Sequence, residues 1–372
     1  MAARPIKLDI YRTAIPMRRF EHAAAGRDLA EAVVVRLECS DGQVGWGETL
    51  PRPYVTGETL ETVVRDIAQV IWPGLSSRPL RREELEQAIP VRAPDGRCIH
   101  AAACAVELAA LRWALAPAEI AAPISARVSG VLGWREPAQT AWRLRLMRWL
   151  GLRDFKLKLG LGEETDAENL RLVRRKIGRA VAAGRLSLRV DVNGGWSAAE
   201  TPERTAELKA LGVCCVEQPV FCTAGELADL AERCRLPLMA DESLLTDADA
   251  QTLLRTPSRV WWNLRLSKNG GLLRTLKLCE LARRHGVPFT LGCMVGESSI
   301  LSAAQRWLLS MGASPRFVEG NYGRFLLAGD VTKRSLRFGR GGRLDPVGFS
   351  AAEAAPARLT KWGRPQASLS AP

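Results

Sequence analysis

Three acidic residues, Asp191, Glu217 and Asp241, stand 26 and 24 residues apart, and each closes a short apolar run: 186–190, 213–216 and 236–240. A strand with its following helix takes about 30 residues in a barrel of eight such units. The spacing therefore predicts three successive barrel strands, each ending in an acid. Strand C-termini of such a barrel share one rim, where chemistry is placed. Three hard oxygen donors on that rim suit Mg²⁺.

The pattern around these strands supports an α/β barrel. From about residue 126 the chain alternates strand candidates (127–132, 154–158, 186–191, 213–217, 237–241, 259–264, 287–292 and 316–319) with helix-period segments such as 163–182 and 271–285. A doubly wound sheet is the alternative, but only a barrel gives the acids a common rim. Residues 1–125 differ. A strand over 32–39, a turn at 40–42 and a return over 43–48 precede helical stretches at 58–70 and 100–115, which predicts an α+β domain. Two segments in it read as exposed loops: 17–27, with Arg18, Arg19, His22 and Gly26, and 51–57, with Pro51, Pro53 and Gly57. The barrel is expected over 126–329, with a turn-rich tail, 330–372, packing back on the N-terminal domain.

Composition excludes several classes. Apolar residues make up 47% of the 372, enough for a large core, yet no apolar run approaches the ~20 residues of a membrane span. The first residues lack the apolar stretch of a secretion signal, so a cytoplasmic protein is expected. Nine cysteines, an odd number without a CxxC pair, argue against a disulfide framework or a zinc knuckle. The net charge of +13 is carried by 44 Arg and 9 Lys, scattered through helical stretches rather than gathered in a tract. This argues against nucleic acid as a partner.

Lys156 and Lys158, in the second barrel strand, fall on one side of it because side chains alternate. Two like charges at a barrel mouth lower each other's pKa, and a nearby metal adds to this. A lysine brought toward neutrality can abstract a proton. A surface pair on an exposed strand is the plain alternative.

In order along the chain stand Lys156-Leu157-Lys158, Asp191-Val192-Asn193, Val216-Glu217-Gln218-Pro219, Ala240-Asp241-Glu242-Ser243 and Asn269-Gly270-Gly271-Leu272. Together these resemble the enolase superfamily, and more narrowly its muconate lactonizing subgroup. The resemblance implies a modified (β/α)₇β barrel under a capping domain, with Mg²⁺ on Asp191, Glu217 and Asp241. It implies removal of the proton α to the carboxylate of a small-molecule substrate, and a homo-oligomer. An enediolate formed this way carries two negative charges on oxygen, which a divalent metal stabilises; pairing a Lys or His base with Mg²⁺ is general in this superfamily. By resemblance Lys158 is the base, while Lys156 holds the carboxylate and depresses the pKa of Lys158.

One position departs from the pattern. The subgroup carries a second lysine at the end of strand six, opposite the first base, and the matching residue here is Arg265. Arginine does not readily release its proton, but it can hold a carboxylate or an enediolate through its fork, or pair with an acid at the rim. This favours one-base chemistry: cycloisomerisation of the muconate type, or β-elimination as in a dehydratase. A dipeptide or N-acyl amino acid epimerase or racemase is the alternative, and a non-catalytic member with a basic binding surface is a third reading.

The remaining candidates surround these. Asn193, Glu242 and Lys268 would support the ligands from behind, with Lys268 in the loop before Gly270-Gly271. Glu319, ending strand eight, is expected to face the site as proton donor or hydrogen-bond partner. Glu297 is expected to be structural. His285 precedes strand seven, on the face away from the chemistry, so a His–Asp dyad on that strand is not available; His22 belongs to a capping loop and His100 opens a helix. Gly194-Gly195 and Gly270-Gly271 fit tight turns better than phosphate loops. Specificity is expected from loops 17–27 and 51–57 and from the ends of strands seven and eight.

Overall fold

The computed structural model describes residues 3–22, 25–133 and 136–371. Its N-terminal part is built on β1 (Pro5–His22), β2 (Ala25–Cys39) and β3 (Val44–Thr49). Eight short parallel strands follow: β4 (Gly130–Leu132), β5 (Asp154–Lys158), β6 (Ser187–Asp191), β7 (Val216–Glu217), β8 (Leu238–Ala240), β9 (Val260–Leu264), β10 (Phe289–Leu291) and β11 (Phe317–Val318). They pair in chain order into one curled sheet. A parallel bridge between Val128 and Val318 brings its two edges together. This is the barrel expected from the acid spacing, beneath an antiparallel cap.

The cap sheet runs β12-β1-β2-β3, where β12 (Gly363–Ser370) comes from the far end of the chain. Val33, Val34 and Val35 of β2 are fully buried, and β-branched residues suit such a strand. The helix His100–Ala114 crosses β3 at very short range. A Cβ on Gly45 or Gly47 would stand 1.8 Å from the carbonyl oxygen of Ala109 or Ala105. Glycine on the strand and alanine on the helix together permit that approach.

Several expectations need correction. Segment 17–27 is not a free loop: β1 and β2 continue as one hairpin to a His22–Ala25 pair, with residues 23–24 and the side chain of His22 outside the described residues. No strand was expected over Pro5–His22, because its alternation is interrupted by charges on both faces. Segment 51–57 is largely buried and holds the short helix Pro53–Thr56. The helical stretch at 58–70 is Leu60–Asp66 followed by a π turn, Ile67–Ile71. The tail carries a helix, Pro356–Trp362, as well as β12. Most barrel strands are shorter than expected; residues 213–215, for example, precede β7.

Buried glutamates join cap to barrel. Glu107, on the long cap helix, accepts from the backbone N–H groups of Leu272 and Leu273 at the start of the barrel helix Leu272–Arg284. Glu48 on β3 accepts from Ser298 N–H (3.1 Å), Ser298 Oγ (2.8 Å) and Leu301 N–H (3.2 Å) at the start of Ser299–Ser310. Each satisfies donors that a helix leaves unpaired at its first turn. Burial pushes the Glu48 carboxyl up to about 7 and that of Glu107 up to about 8, against the pull of these donors.

Both acids hold a proton more tightly in the folded chain than in the unfolded one. Their contribution to stability is therefore full below about pH 4.5 and is lost as pH rises through about 7 and 8. Urea denaturation should show Glu107→Gln flattening this decline. Glu107→Ala should cost about 1–3 kcal/mol by leaving buried N–H groups unpaired. Equal stability of the Ala and Gln variants would contradict the capping role.

Candidate active site

In a ring of eight strands, the second and the sixth face each other. β5 is second and carries Lys156 and Lys158; Arg265 follows β9, the sixth. Asp191 ends β6, Glu217 ends β7 and Asp241 follows β8, so the three acids occupy the arc between. Register makes neighbours of them: Lys158 lies beside Asp191, and Asp191 beside Glu217. All three acids are fully buried, with Lys156 and Lys158 nearly so.

Every one of these charges has a partner. Lys156 Nζ lies 2.7 Å from Glu319 Oε2, 3.1 Å from Asp191 Oδ2 and 3.2 Å from Glu217 Oε2. Lys158 Nζ donates to Asp191 Oδ2 (2.5 Å) and Asn193 Oδ1 (2.6 Å). Arg265 donates to Asp241 and lies 3.6 Å from Glu217 Oε1. Lys268 donates to the Asp241 carbonyl (2.6 Å), Asp241 Oδ1 (3.1 Å) and the Asn263 carbonyl (2.7 Å). Local backbone explains two of these placements. A Cβ on Gly133, whose φ is +114°, would meet Lys158 Cβ at 2.7 Å, so glycine there leaves Lys158 its place. Asn193 adopts φ +47°, which asparagine tolerates, and its own N–H caps Asp191 Oδ1 at 3.1 Å.

The electrostatics revise two expectations. Burial alone would lower the pKa of Lys156, but Glu217, Glu319 and Asp191 outweigh it and hold it well above the usual lysine value. Lys156 is thus a fixed cation, not one half of a mutually neutralising pair. Burial alone would raise Glu319, but Lys156 and Arg189 bring it down to about 2. Glu319 lines the cavity and accepts hydrogen bonds from Lys156 and Arg189. Arg265 is held well above its ordinary value, because Asp241, Glu217 and Glu242 outweigh its burial. Lys268 shows the opposite balance, its pKa lowered chiefly by burial. It sits in a one-turn helix, Leu266–Asn269, not in a loop.

Three contributors have no place among the expected site residues. Asn263 Nδ2 donates to Glu217 Oε1 at 2.7 Å. Gln218 accepts from the N–H groups of Asp241 (2.9 Å) and Ser243 (3.2 Å), tying β7 to the end of β8. Arg189, fully buried inside the barrel, donates to Glu319 at 2.5 Å and stacks on Phe317. An arginine inside an apolar strand was a readable signal; Asn263 stands between Trp262 and Leu264 and offers none. His100 also enters the support: its Nδ1 lies 2.9 Å from the Lys268 carbonyl, and burial lowers its pKa to about 4. Glu297 accepts from Met294 N–H at 2.7 Å and closes a turn.

A cavity of about 290 Å³ opens above this cluster. Lys156, Lys158, Asn193, Glu242, Arg265 and Glu319 line its strand-end side. Glu242 Oε2 is buried there without a hydrogen-bond partner, and its carboxyl is pushed up to about 8 by burial and by Asp241. Burial and the charge of Asp191 likewise raise Glu217 to about 7. Glu242 lacks a partner for Oε2, and three hard oxygen donors on adjacent strand ends fit a small divalent cation by their chemistry. Among the described residues no three His, Cys, Asp or Glu side chains are arranged to hold a metal ion. Lys156 and Arg265 stand as counter-ions between the acids and would have to yield to one.

The chain belongs to the enolase superfamily, in its mandelate racemase and muconate lactonizing enzyme family. Residues 6–124 match the mandelate racemase / muconate lactonizing enzyme N-terminal domain, and residues 138–346 the enolase C-terminal domain-like family. The L-Lys-D/L-Arg epimerase of Methylococcus capsulatus is 32% identical over 312 residues, 81% of this chain and 85% of that one. The N-succinyl-L-Arg/Lys racemase of Bacillus cereus is 25% identical over 311 residues, 80% and 81% of the two chains. The dipeptide epimerase of Enterococcus faecalis, solved with Mg and the dipeptide L-Leu-L-Tyr, superposes with a TM-score of 0.79 at 22% identity, covering 94% of this chain and 99% of that one.

Replacing Lys156 by Met should cost about 3–5 kcal/mol of stability in the absence of added metal, as for removal of one partner from a buried ion pair. Urea denaturation measures this. A loss under about 1 kcal/mol would mean the acids do not depend on Lys156.

Proposed function

We propose that this protein is an isomerase that removes the α-proton of a carboxylate substrate from one face, with Lys158 as base. The observation that carries the reading is the arc itself: Lys158 on β5, three buried acids on the next three strands, and Arg265 opposite. Asp191, Glu217 and Asp241 would hold Mg²⁺, which supplies positive charge against the second negative charge developing on the substrate carboxylate. Lys158 would first lose one proton to solvent as it gives up its bond to Asp191, and the neutral amine then accepts the α-proton at Nζ and can return it to the same face. Lys156, displaced from the ligand acids by the metal, would stay protonated and keep Glu319, its nearest acid at 2.7 Å, in place. Arg265 offers N–H donors to the developing charge without exchanging a proton, since its acids hold it far above neutrality.

The relatives favour amide-bearing substrates, dipeptides or N-acylated amino acids, and epimerisation as the net outcome, in which water would supply the proton to the enediolate face opposite Lys158. Lactone formation of the muconate type draws less support, although a 2-chloromuconate cycloisomerase shares the fold, and β-elimination draws none. The epimerase relatives and Arg265 together lead to a specific expectation. In ²H₂O, deuterium should enter the α-position faster than the stereocentre inverts, because the second face lacks a basic lysine. Arg265→Lys should raise inversion relative to exchange by about 10²-fold or more, the scale of a positioned general acid or base. NMR and chiral chromatography on one panel of dipeptides, N-succinyl amino acids and cis,cis-muconate follow both. Equal rates of exchange and inversion in the unaltered protein would overturn the one-face reading. Lys158→Ala should lower exchange by about 10³-fold; unchanged exchange would remove Lys158 as the base.

Mg²⁺ at 100 times its Kd should stabilise the fold by about 2.7 kcal/mol. Glu217→Gln should abolish that gain in a thermal melt. A gain that survives in the variant would locate the metal elsewhere.

A further inference from the structure

The first barrel helix, Pro137–Trp149, has two apolar faces. Thr140 and Leu144 are buried against the barrel, as a barrel helix requires. Trp142, Leu146, Met147 and Leu150 form a second stripe at helical spacing, only partly buried or exposed, and all four line the cavity. Phe325 and Phe338, from the segments after β11, line the same cavity. Water-facing apolar stripes are costly to keep unless something covers them. Here the stripe is continuous with Lys158 and Arg265 through a single cavity, so what sits on one end of the cavity extends along the other.

We propose that this wall selects the substrate: a carboxylate whose remainder is a bulky apolar or aromatic group, laid along Trp142, Leu146 and Leu150. The inference rests on the reading that the substrate carboxylate binds at the strand ends. The carboxylate anchors there, beside the unpartnered Oε2 of Glu242, and the apolar remainder displaces water from the helix stripe. Each methylene group buried on such a wall is worth a factor of about four in affinity. Selection would then come from this helix, beyond the two cap segments expected to supply it.

The test is equilibrium calorimetry on the full chain with Mg²⁺ present, using one amino acid N-acylated with acetyl, butanoyl, hexanoyl and phenylacetyl groups. Affinity should climb about fourfold per methylene until the cavity is filled. Leu146→Asp should weaken the hexanoyl and phenylacetyl ligands at least 30-fold while leaving the acetyl ligand within twofold. Trp142→Ala, at a half-exposed position, should weaken the phenylacetyl ligand in the same selective way. Arg145→Glu, on the outward side of the helix, should change nothing. Affinity independent of acyl length, or equal weakening of every ligand by Leu146→Asp, overturns the proposal. So does a dimer lost on Trp142→Ala with ligand affinity unchanged, which would make a second copy of the chain the stripe's occupant. Chain-length-dependent binding without α-proton exchange would sink the catalytic reading and leave the wall; exchange without chain-length dependence would do the reverse. No binding of any member sinks both.

Discussion

Lys156 is the contact on which the site depends. Adjacent parallel strands bring Asp191 and Glu217 side by side, and β11 adds Glu319 from across the barrel. Three buried carboxylates at this range repel one another, and burial alone would protonate them. The Lys156 ammonium lies within 3.2 Å of all three; Lys158 together with Lys156 keeps Asp191 ionised, and Lys156 together with Arg189 keeps Glu319 ionised. Arg189 anchors Glu319 from beneath, and Arg265 and Lys268 do the same for Asp241. The result is a lattice of alternating charges across the barrel mouth, rigid enough to hold Lys158 against Asp191 and Asn193. Catalysis by positioned charge needs this kind of preorganisation.

The cap is tied to that lattice through the same elements that build the site. Gly270 and Gly271 turn the chain from the segment bearing Arg265 and Lys268 into the next barrel helix, and Glu107 caps that helix from the cap domain. His100, which opens the cap helix carrying Glu107, contacts the backbone carbonyl of Lys268. Glu48 performs the equivalent task at the helix after β10. The cap thus fixes helix ends next to Arg265 on one side and next to the cavity on the other.

Much of this was legible from residue order. The acid spacing and the alternating pattern led to the barrel, and Lys156, Lys158, Arg265 and Glu319 all line one cavity. The extent of β1 was not legible, because its partners β2 and β12 lie at opposite ends of the chain and its polar residues pair across the sheet. Asn263 and Gln218 carried no signal of their own, since an amide reads the same whether it faces water or a buried carboxylate. The direction of the Lys156 pKa shift was misjudged for a related reason. From sequence its nearest charge is Lys158, whereas in the fold its nearest charges are three acids from three other strands.

The sequence by itself determined the strand-and-helix alternation and the acid at the end of three strands. It also placed a lysine pair on one side of the second strand, because periodicity and spacing are local properties. It determined that an arginine, not a lysine, follows the sixth strand. Tertiary structure alone decided which charges compensate which, since a pKa depends on neighbours that ring closure brings together from distant parts of the chain. It also decided that one helix turns a second apolar stripe into the cavity. Spacing marks an apolar face, but only the packed barrel says whether that face meets the core or a cavity.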